Sequence, residues 1–151
     1  INTIIVNRLG DEVNIKLFHD EDRVKELVAE AHNYNVVVIM SKKKKKKVPA
    51  KDVIEFRLKK MAALGADVPK LACMPHNAKD VLTLLSATNE VNEAIDNPLI
   101  TMAMGDIGKV TRIAGQVFGS SLSFGAVGKT SAPGQLSIDD LRNAENYLEI
   151  K

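Results

Sequence analysis

Short apolar runs rich in β-branched residues recur along this chain of 151 residues, and they limit its fold more than any other feature. Four of them lie at residues 36–40, 68–74, 99–104 and 122–126, and the earlier segment 13–18 is predicted to be a further strand. Continuous runs of this kind are typical of strands buried on both faces of a sheet. Segments with helical spacing separate them. This alternation, repeated about every 30 residues, predicts a parallel sheet.

Helices are predicted where apolar residues recur at three- and four-residue spacing between these runs. The first follows the acidic start Asp20-Glu-Asp, and the second ends at Gly65, a residue type common just after a helix C-terminus. A last helix begins with a capping sequence at Ser137 and runs through Leu141 and Leu148. Residues 2–9 are interpreted as the end of a helix. The apolar positions of the first three helices are Val24, Leu27, Val28 and Ala31; Ile54, Leu58, Met61 and Ala62; and Val81, Leu84, Leu85 and Thr88.

Two closures are open to such a parallel sheet, the doubly wound open sheet and the eight-stranded barrel. The G-x-G-x-x-G and P-loop motifs are missing, which argues against the nucleotide-binding open sheets. A complete (βα)8 barrel needs about 250 residues. Five βα units in a single domain of residues 1–151 therefore predict an α/β fold that forms part of such a barrel.

Composition points to a cytoplasmic globular protein. Hydrophobic residues make up 45% of the chain, and no apolar run approaches the roughly 20 residues that span a bilayer. The first residues show no basic leader and no cleavage site, so secretion is not expected. Cys73 is the only cysteine, which excludes an internal disulfide, and it is expected to be a small buried apolar residue.

Six consecutive lysines, residues 42–47, carry all of the excess positive charge. The chain has 21 basic and 19 acidic residues, so without this run 15 basic residues stand against 19 acidic ones. Proteins that bind nucleic acid usually spread basic residues over a face or along a helix. The run is therefore interpreted as a solvated charged segment. The alternative is a polybasic segment that binds nucleic acid or anionic lipid.

Lys70 is the strongest catalytic candidate, because it is a charged residue within an otherwise apolar strand. Alternation places Lys70, Ala72 and Met74 on one face of that strand. A lysine that points into a barrel loses hydration, which lowers the pKa of its ammonium group and makes a neutral, nucleophilic amine available. That is the requirement for forming an imine. The alternative is a strand-end lysine that extends to water.

Several residues that follow the later strands are weaker candidates. Met102 and Met104 end one strand and are either core or substrate contacts. Arg112, predicted near a helix start, is either exposed or holds a carboxylate through two hydrogen bonds. Residues 131–135 form a polar loop after a strand, where barrel active sites are built. The three histidines have no spacing typical of a metal site.

Several long motifs resemble type I 3-dehydroquinate dehydratase. They are PKLACMP (residues 69–75), DVLTLLSAT (80–88), ITMAMG (100–105), TRIAGQVFGS (111–120), SFGAVGKTSAPGQLSIDDLR (123–142) and RLKKMAALGADVPK (57–70). The likeness runs in order from about residue 18 to residue 142 and is similar to the C-terminal two-thirds of that family. It implies a (βα)8 barrel of the shikimate pathway that works as a homodimer without metal or organic cofactor, with no nucleic acid and no membrane partner.

The resemblance also implies roles for individual residues. Lys70 matches the lysine that forms an imine with the ketone of 3-dehydroquinate, and Arg112 matches the arginine that holds the substrate carboxylate. The protonated imine acidifies the neighbouring C–H bond, so that a modest base can remove the proton before hydroxide leaves. Ser131 and Gln135 match a closing loop that contacts substrate hydroxyls. Met102, Met104 and Phe124 match residues that line the pocket.

Two features depart from the family pattern. Where the family reads roughly Ser-Asn-His-Asp-Phe, this chain has Ser41 and then the lysines, so Lys43 stands at the position of the acid/base histidine. The pKa of lysine is normally about 10.4 and that of histidine about 6.5, so a lysine is a poor base near neutrality. Impaired turnover is therefore expected. The first three barrel strands, with further binding residues, are not in this sequence, so the chain is expected to supply strands 4–8.

Two other functions remain open on the sequence. One is a different Schiff-base barrel of the class I aldolase type, which also uses a strand lysine but fits Arg112 and residues 131–135 less well. The other is a binding module without catalytic activity that uses residues 42–47.

Overall fold

The computed structural model describes residues 3–8, 11–15 and 20–148. Within them, five strands form one sheet in the order β2-β1-β3-β4-β5. β3, β4 and β5 are parallel to one another, and β1 is antiparallel to both of its neighbours. The elements are β1 (Thr3–Arg8), β2 (Asp11–Ile15), α1 (Glu21–Asn33), β3 (Val37–Lys44), α2 (Lys51–Ala63), β4 (Val68–Cys73), α3 (Ala78–Ala94), β5 (Ile100–Ala103), α4 (Lys109–Ile113), the 3-10 helix Gly115–Phe118 and α5 (Ile138–Tyr147).

Side-chain caps start three of the helices. Asp20 accepts hydrogen bonds from the backbone N–H groups of Asp22 and Arg23, and Asn77 and Ser137 each cap a helix through one such bond. These caps satisfy N–H groups that have no partner inside the helix. The predicted helix starts at Asp20 and Ser137 are confirmed. Gly65 follows α2 with φ of 97°, as predicted for a residue just beyond a helix end.

The helices cover one face of the parallel sheet and bury most of the core there. Val38 and Met40 of β3 are fully buried in one cluster with α1, and Leu71 and Cys73 of β4 are fully buried in a second cluster under α2 and α3. Burying an aliphatic side chain contributes about 1.5–3 kcal/mol. The apolar contacts on this face therefore hold α1, α2 and α3 against the parallel strands.

The opposite face carries the polar candidates. The strand register pairs Ile39 with Val68, Ser41 with Lys70 and Lys43 with Ala72. It then pairs Lys70 with Ile100 and Ala72 with Met102. Side chains at paired positions of parallel strands point to the same face, so these residues form one surface. Ala72, Ile100 and Met102 are its buried centre, and Phe124 packs against them.

Two predictions for the N-terminal part need correction. Residues 2–9 were expected to end a helix, but Thr3–Arg8 is the strand β1, which pairs with both β2 and β3. The sequence of this segment is rich in β-branched residues, which favours a strand once a neighbouring edge is available. The strand predicted at residues 13–18 overlaps β2, which runs antiparallel to β1 rather than in a parallel βα unit. Residues 16–18 lie outside the described part.

The C-terminal part and the lysine run also differ from expectation. Residues 122–126 form no named strand; Ala126 makes a single parallel bridge with Ser137. Arg112 lies in the last turn of the short helix α4, not at a helix start. β3 extends to Lys44, so three of the six lysines belong to the sheet. The ladder with β4 supplies hydrogen bonds that override the low strand propensity of lysine.

None of the helices in the described part of the chain is long and apolar enough to cross a membrane.

Candidate active site

Lys70 occupies the middle of the sheet surface that the helices leave uncovered. Its Cα partners are Ser41 on β3 and Ile100 on β5. The side chain is half-buried, and its Nζ lies 4.4 Å from the centroid of the Phe124 ring. A cation over an aromatic face gains about 0.5–2 kcal/mol. The ring therefore holds the amine in a fixed position on one side.

Phe124 is tied in turn to the loop that contains Ser131 and Gln135. The Gln135 side chain donates from Nε2 to the Phe124 carbonyl oxygen at 3.2 Å. Its Oε1 accepts from the Ser131 backbone N–H at 2.7 Å and from the Ser131 hydroxyl at 3.1 Å. The two predicted loop residues therefore contact each other, and they are linked through Phe124 to Lys70.

A close approach of two backbones fixes this loop to the end of β5. The Gly105 N–H donates to the Pro133 carbonyl at 3.1 Å. Gly134 has φ of 74°, and a Cβ placed on it would lie 2.2 Å from the Gly105 carbonyl oxygen. Only glycine fits this position without displacing the loop.

Arg112 is the buried cation of the site. It is 2% exposed, and its Nη1 lies 3.6 Å from the Met102 sulfur, a weak acceptor. Nη2 donates to the Pro133 carbonyl at the long distance of 3.4 Å, and the buried Nε has no hydrogen-bond partner within the described residues. Burial lowers the pKa of the Arg112 guanidinium. A guanidinium with this incomplete set of contacts is suited to a carboxylate, which accepts two parallel hydrogen bonds.

The two methionines lie between the charged groups. Met102 is on the Lys70 face, pairs in register with Ala72 and contacts Arg112. Met104 follows β5, is 2% exposed and donates its N–H to the Cys73 carbonyl at 2.8 Å. Both are buried, which fits core packing as well as a pocket wall.

Lys43 lies on the same face as Lys70, two residues beyond Ser41, which is the β3 residue that pairs with Lys70. Its Cα partner is Ala72, which follows Lys70 by two residues. The Lys43 side chain is exposed. The structure thus places Lys43 near the carboxyl end of β3 and Met104 just after β5, while Lys70 is inside β4. Barrel enzymes bind their substrates at the carboxyl ends of the strands.

Several contacts of this region had no signal in the sequence. The Pro133 carbonyl accepts from both Gly105 and Arg112, which joins the loop to the guanidinium. His76 lies 2.6 Å from the Lys46 carbonyl oxygen through Nε2, which links the lysine run to the segment after β4. Which backbone carbonyls act as acceptors depends on tertiary geometry. Gly134 is the one sequence signal in this region, since it permits the close approach to the Gly105 carbonyl.

Cys73 belongs to the apolar core under α2 and α3. Cys73 is fully buried, as predicted, and burial raises the pKa of its thiol to about 12. Among the residues that the structure describes, no three His, Cys, Asp or Glu side chains are grouped so that they would hold a metal ion.

Comparison with known proteins gives consistent matches. Residues 2–151 match the family model for Type I 3-dehydroquinase. The chain is 50% identical over 148 residues to 3-dehydroquinate dehydratase of Lactiplantibacillus plantarum, covering 98% of this chain and 59% of that protein. It is 53% identical over 141 residues to 3-dehydroquinate dehydratase of Salmonella paratyphi B, covering 93% and 56%. The chain therefore spans less than two-thirds of the length of these relatives.

Solved structures agree with this match. The 3-dehydroquinate dehydratase of Geobacillus kaustophilus superposes with a TM-score of 0.83 at 37% identity, over 85% of this chain and 50% of that one. The type I 3-dehydroquinate dehydratase of Clostridium difficile, solved with covalent modified comenic acid, gives a TM-score of 0.81 at 46% identity, over 85% and 51%.

Proposed function

The chain belongs to the type I 3-dehydroquinase family, and we propose that its full-length protein dehydrates 3-dehydroquinate to 3-dehydroshikimate through an imine on Lys70. The observation that carries the proposal is the arrangement of Lys70 under the Phe124 ring, with the buried Arg112 reached through Met102 on the same sheet face. A nucleophilic amine and an anchor for a carboxylate are what a keto acid substrate requires.

The proposed reaction begins at the Lys70 amine. The amine attacks the substrate ketone, and the carbonyl oxygen leaves as water. The resulting protonated imine withdraws electrons, so the adjacent C–H bond becomes acidic. A base removes that proton, the hydroxyl group leaves with a proton as a second water, and hydrolysis of the imine releases the product and the lysine.

Arg112, Ser131 and Gln135 are assigned to substrate binding. Arg112 holds the carboxylate, because its Nε is unpartnered and its other contacts are weak. The Ser131 and Gln135 side chains hydrogen-bond to each other, and Gln135 also donates to the Phe124 carbonyl oxygen. When substrate binds, its hydroxyl groups replace these hydrogen-bond partners of Ser131 and Gln135. The closed loop then excludes water. Met102, Met104 and Phe124 form the pocket wall.

Lys43 is assigned to the acid/base position and is the proposed reason for slow turnover. Its side chain is exposed on the Lys70 face. The lysine side chain presents N–H donors and no acceptor, so it is poorly suited to accept the substrate proton. The imine still forms, but the step that follows it is slow.

The proposal extends to the whole protein. Residues 1–151 form the C-terminal part of a (βα)8 barrel, with β3, β4 and β5 as three of its parallel strands. Ser121 donates its N–H to the Leu99 carbonyl at 2.7 Å, beside a parallel bridge between Leu99 and Ser120. This contact supports a further strand beyond β5. The proposed full-length protein is a cytoplasmic homodimer. It needs no metal or organic cofactor and binds neither nucleic acid nor membrane.

Borohydride trapping tests the central step. The full-length protein incubated with 3-dehydroquinate and sodium borohydride should gain the mass of the reduced adduct, and peptide mapping should place it on Lys70. The Lys70→Met variant should gain nothing above background. An adduct on another lysine would overturn the assignment.

The class I aldolase alternative predicts cleavage of a C–C bond instead of loss of water. Measuring both reactions on the same panel of hydroxy ketones separates the two functions. The polybasic alternative gains no support from β3, since Lys42, Lys43 and Lys44 are part of the sheet.

A further inference from the structure

Lys43 and Lys70 form a pair of amines on one face of neighbouring strands. Lys43 is opposite Ala72, two residues beyond Lys70. Parallel strands lie about 4.8 Å apart and two residues span about 6.6 Å, so the two lysine Cα atoms are about 8 Å apart. Ala72, the residue opposite Lys43, contributes only a methyl group to this face. A molecule bound to one amine is therefore within reach of the other.

The surroundings of the two amines differ. Lys70 is half-buried against the Phe124 ring, whereas Lys43 is exposed to water. The lysine side chain presents N–H donors and no acceptor, so Lys43 is suited to donate a proton to a bound molecule. The pair thus combines an imine-forming amine with a general acid, at a position where the family has a base.

Dehydration and decarboxylation place different demands on such a pair. Loss of water from a hydroxy ketone begins with removal of a carbon-bound proton, which needs a base. Decarboxylation of a β-keto acid needs none, because the electron pair that enters the imine comes from the broken C–C bond. It needs an acid only afterwards, to protonate the enamine. The residues present therefore favour decarboxylation.

Arg112 adds a requirement on the substrate. Its guanidinium is buried beside Met102, with Nε unpartnered, and Met102 and Phe124 connect it to Lys70. A carboxylate held there is not the one that leaves, because a charge-assisted pair with arginine stabilises the ionised group before reaction. The substrate that fits carries one carboxylate for Arg112 and a second one β to the ketone.

We propose, on the basis of the imine assigned above to Lys70, that this site decarboxylates β-keto dicarboxylates. Lys70 Nζ bonds to the ketone carbon and the carbonyl oxygen leaves as water. The bond to the β-carboxylate breaks, CO2 departs, and its electron pair converts the iminium to an enamine. Lys43 Nζ donates a proton to the enamine carbon and regains one from solvent. Water then hydrolyses the iminium, which releases the 2-oxo acid and regenerates the Lys70 amine.

The test measures CO2 release from oxaloacetate by the full-length protein at neutral pH, with a chelator present to suppress catalysis by free metal ions. Lys70→Met should lower the rate at least about tenfold, to the background of surface amines. Lys43→Ser should lower it about a hundredfold, at the low end of general-acid effects. Lys46→Ser, which removes another exposed lysine of the same run, should leave the rate unchanged. Acetoacetate, which lacks the second carboxylate, should react more slowly than oxaloacetate.

Trapping with borohydride keeps the test independent of how well the variants fold. The unaltered protein treated with oxaloacetate should carry an adduct on Lys70 that is lighter by one CO2 than the adduct of the intact dicarboxylate. An oxaloacetate rate that Lys70→Met does not change would overturn the inference, and so would equal effects of Lys43→Ser and Lys46→Ser.

The two proposals fail in different ways. If Lys70 is trapped by 3-dehydroquinate but oxaloacetate is not decarboxylated, the dehydratase proposal stands and this inference is wrong. If decarboxylation depends on Lys70 but 3-dehydroquinate leaves no adduct there, the assignment of the dehydratase substrate is wrong.

Discussion

At the scale of single residues, Arg112 is the clearest mark of function. Among residues 20–148 it is the one charged side chain that is buried, yet it has two weak contacts and an unpartnered Nε. Leaving a buried polar atom unsatisfied costs about 1–3 kcal/mol. A residue selected for stability alone would be paired, so the cost is consistent with a group that waits for an anionic ligand.

Arg112→Met should therefore abolish substrate binding without unfolding the protein. Replacing a buried charge by an apolar side chain of similar length is often neutral or stabilising by about 1–4 kcal/mol. We expect the melting temperature to stay the same or rise, while kcat/KM for 3-dehydroquinate falls at least about tenfold through the loss of charge-assisted bonds. Calorimetry and steady-state kinetics measure the two effects.

Leu84→Ala is the matched control for this variant. Leu84 is fully buried against β4 and β5, and truncating such a leucine costs about 2–5 kcal/mol. A similar loss of stability in Arg112→Met would show that the guanidinium is structural.

Lys43→His should raise the dehydration rate of the full-length protein. Histidine has a pKa near neutrality and accepts a proton there, and general-base catalysis contributes about 10²–10⁴-fold. Lys45→His, two positions along the same run, should have no effect. The measurement is kcat as a function of pH for the unaltered protein and the two variants. An unaltered protein with the same kcat as Lys43→His would contradict the acid/base assignment.

At the scale of elements, the loop of residues 131–135 is held by its contact with the end of β5. Gly134 approaches the Gly105 carbonyl, and Pro133 accepts from Gly105 and Arg112. The loop therefore connects the guanidinium, the strand end and, through Gln135 and Phe124, the lysine. A shift of the loop would alter all of these positions together.

Gly134→Ala should displace the loop and lower kcat/KM. The added Cβ would lie 2.2 Å from the Gly105 carbonyl oxygen, closer than any normal contact. Gly128→Ala is a matched control, because Gly128 has a similar φ of 76° but open space around it. Both variants carry the backbone strain of about 1 kcal/mol. Equal losses of activity in the two variants would mean that the loop contact is unimportant.

At the scale of the whole molecule, the sheet is covered unevenly. On the helix-covered face Val38, Met40, Leu71 and Cys73 are buried, whereas on the other face Phe124 covers the centre and Ile39, Ser41 and Lys43 of β3 are more open. In a complete barrel this second face is the interior. Its partly apolar surface is a liability when it is not covered.

The proposed barrel predicts a difference between residues 1–151 alone and the full-length protein. The shorter chain should bind a fluorescent apolar dye more strongly and self-associate, because the face beside β3 is open. Dye fluorescence and size-exclusion chromatography measure both properties. A monomeric 1–151 with no more dye binding than the full-length protein would contradict the barrel proposal.

The sequence predicted the central elements well, because their signals are local. β3, β4 and β5 were found from β-branched apolar runs, and α1 and α5 from their capping residues. The prediction of a helix end at residues 2–9 is wrong for residues 3–8. This segment forms a strand because it pairs with β2 and β3, and that pairing has no local signal in the sequence. Residues 122–126 carry an apolar pattern but make only one bridge.

The chain itself determined which chemistry is available: an amine at position 70, an arginine at 112, and a lysine instead of histidine at 43. Only the tertiary structure decided where these groups lie relative to one another. The register sets Lys43 beside Ala72 and Lys70 beside Ser41, the ring of Phe124 covers the amine, and burial leaves the Arg112 Nε unpartnered. Side-chain types follow from local sequence, whereas register, burial and backbone acceptors arise from contacts between residues distant in the chain.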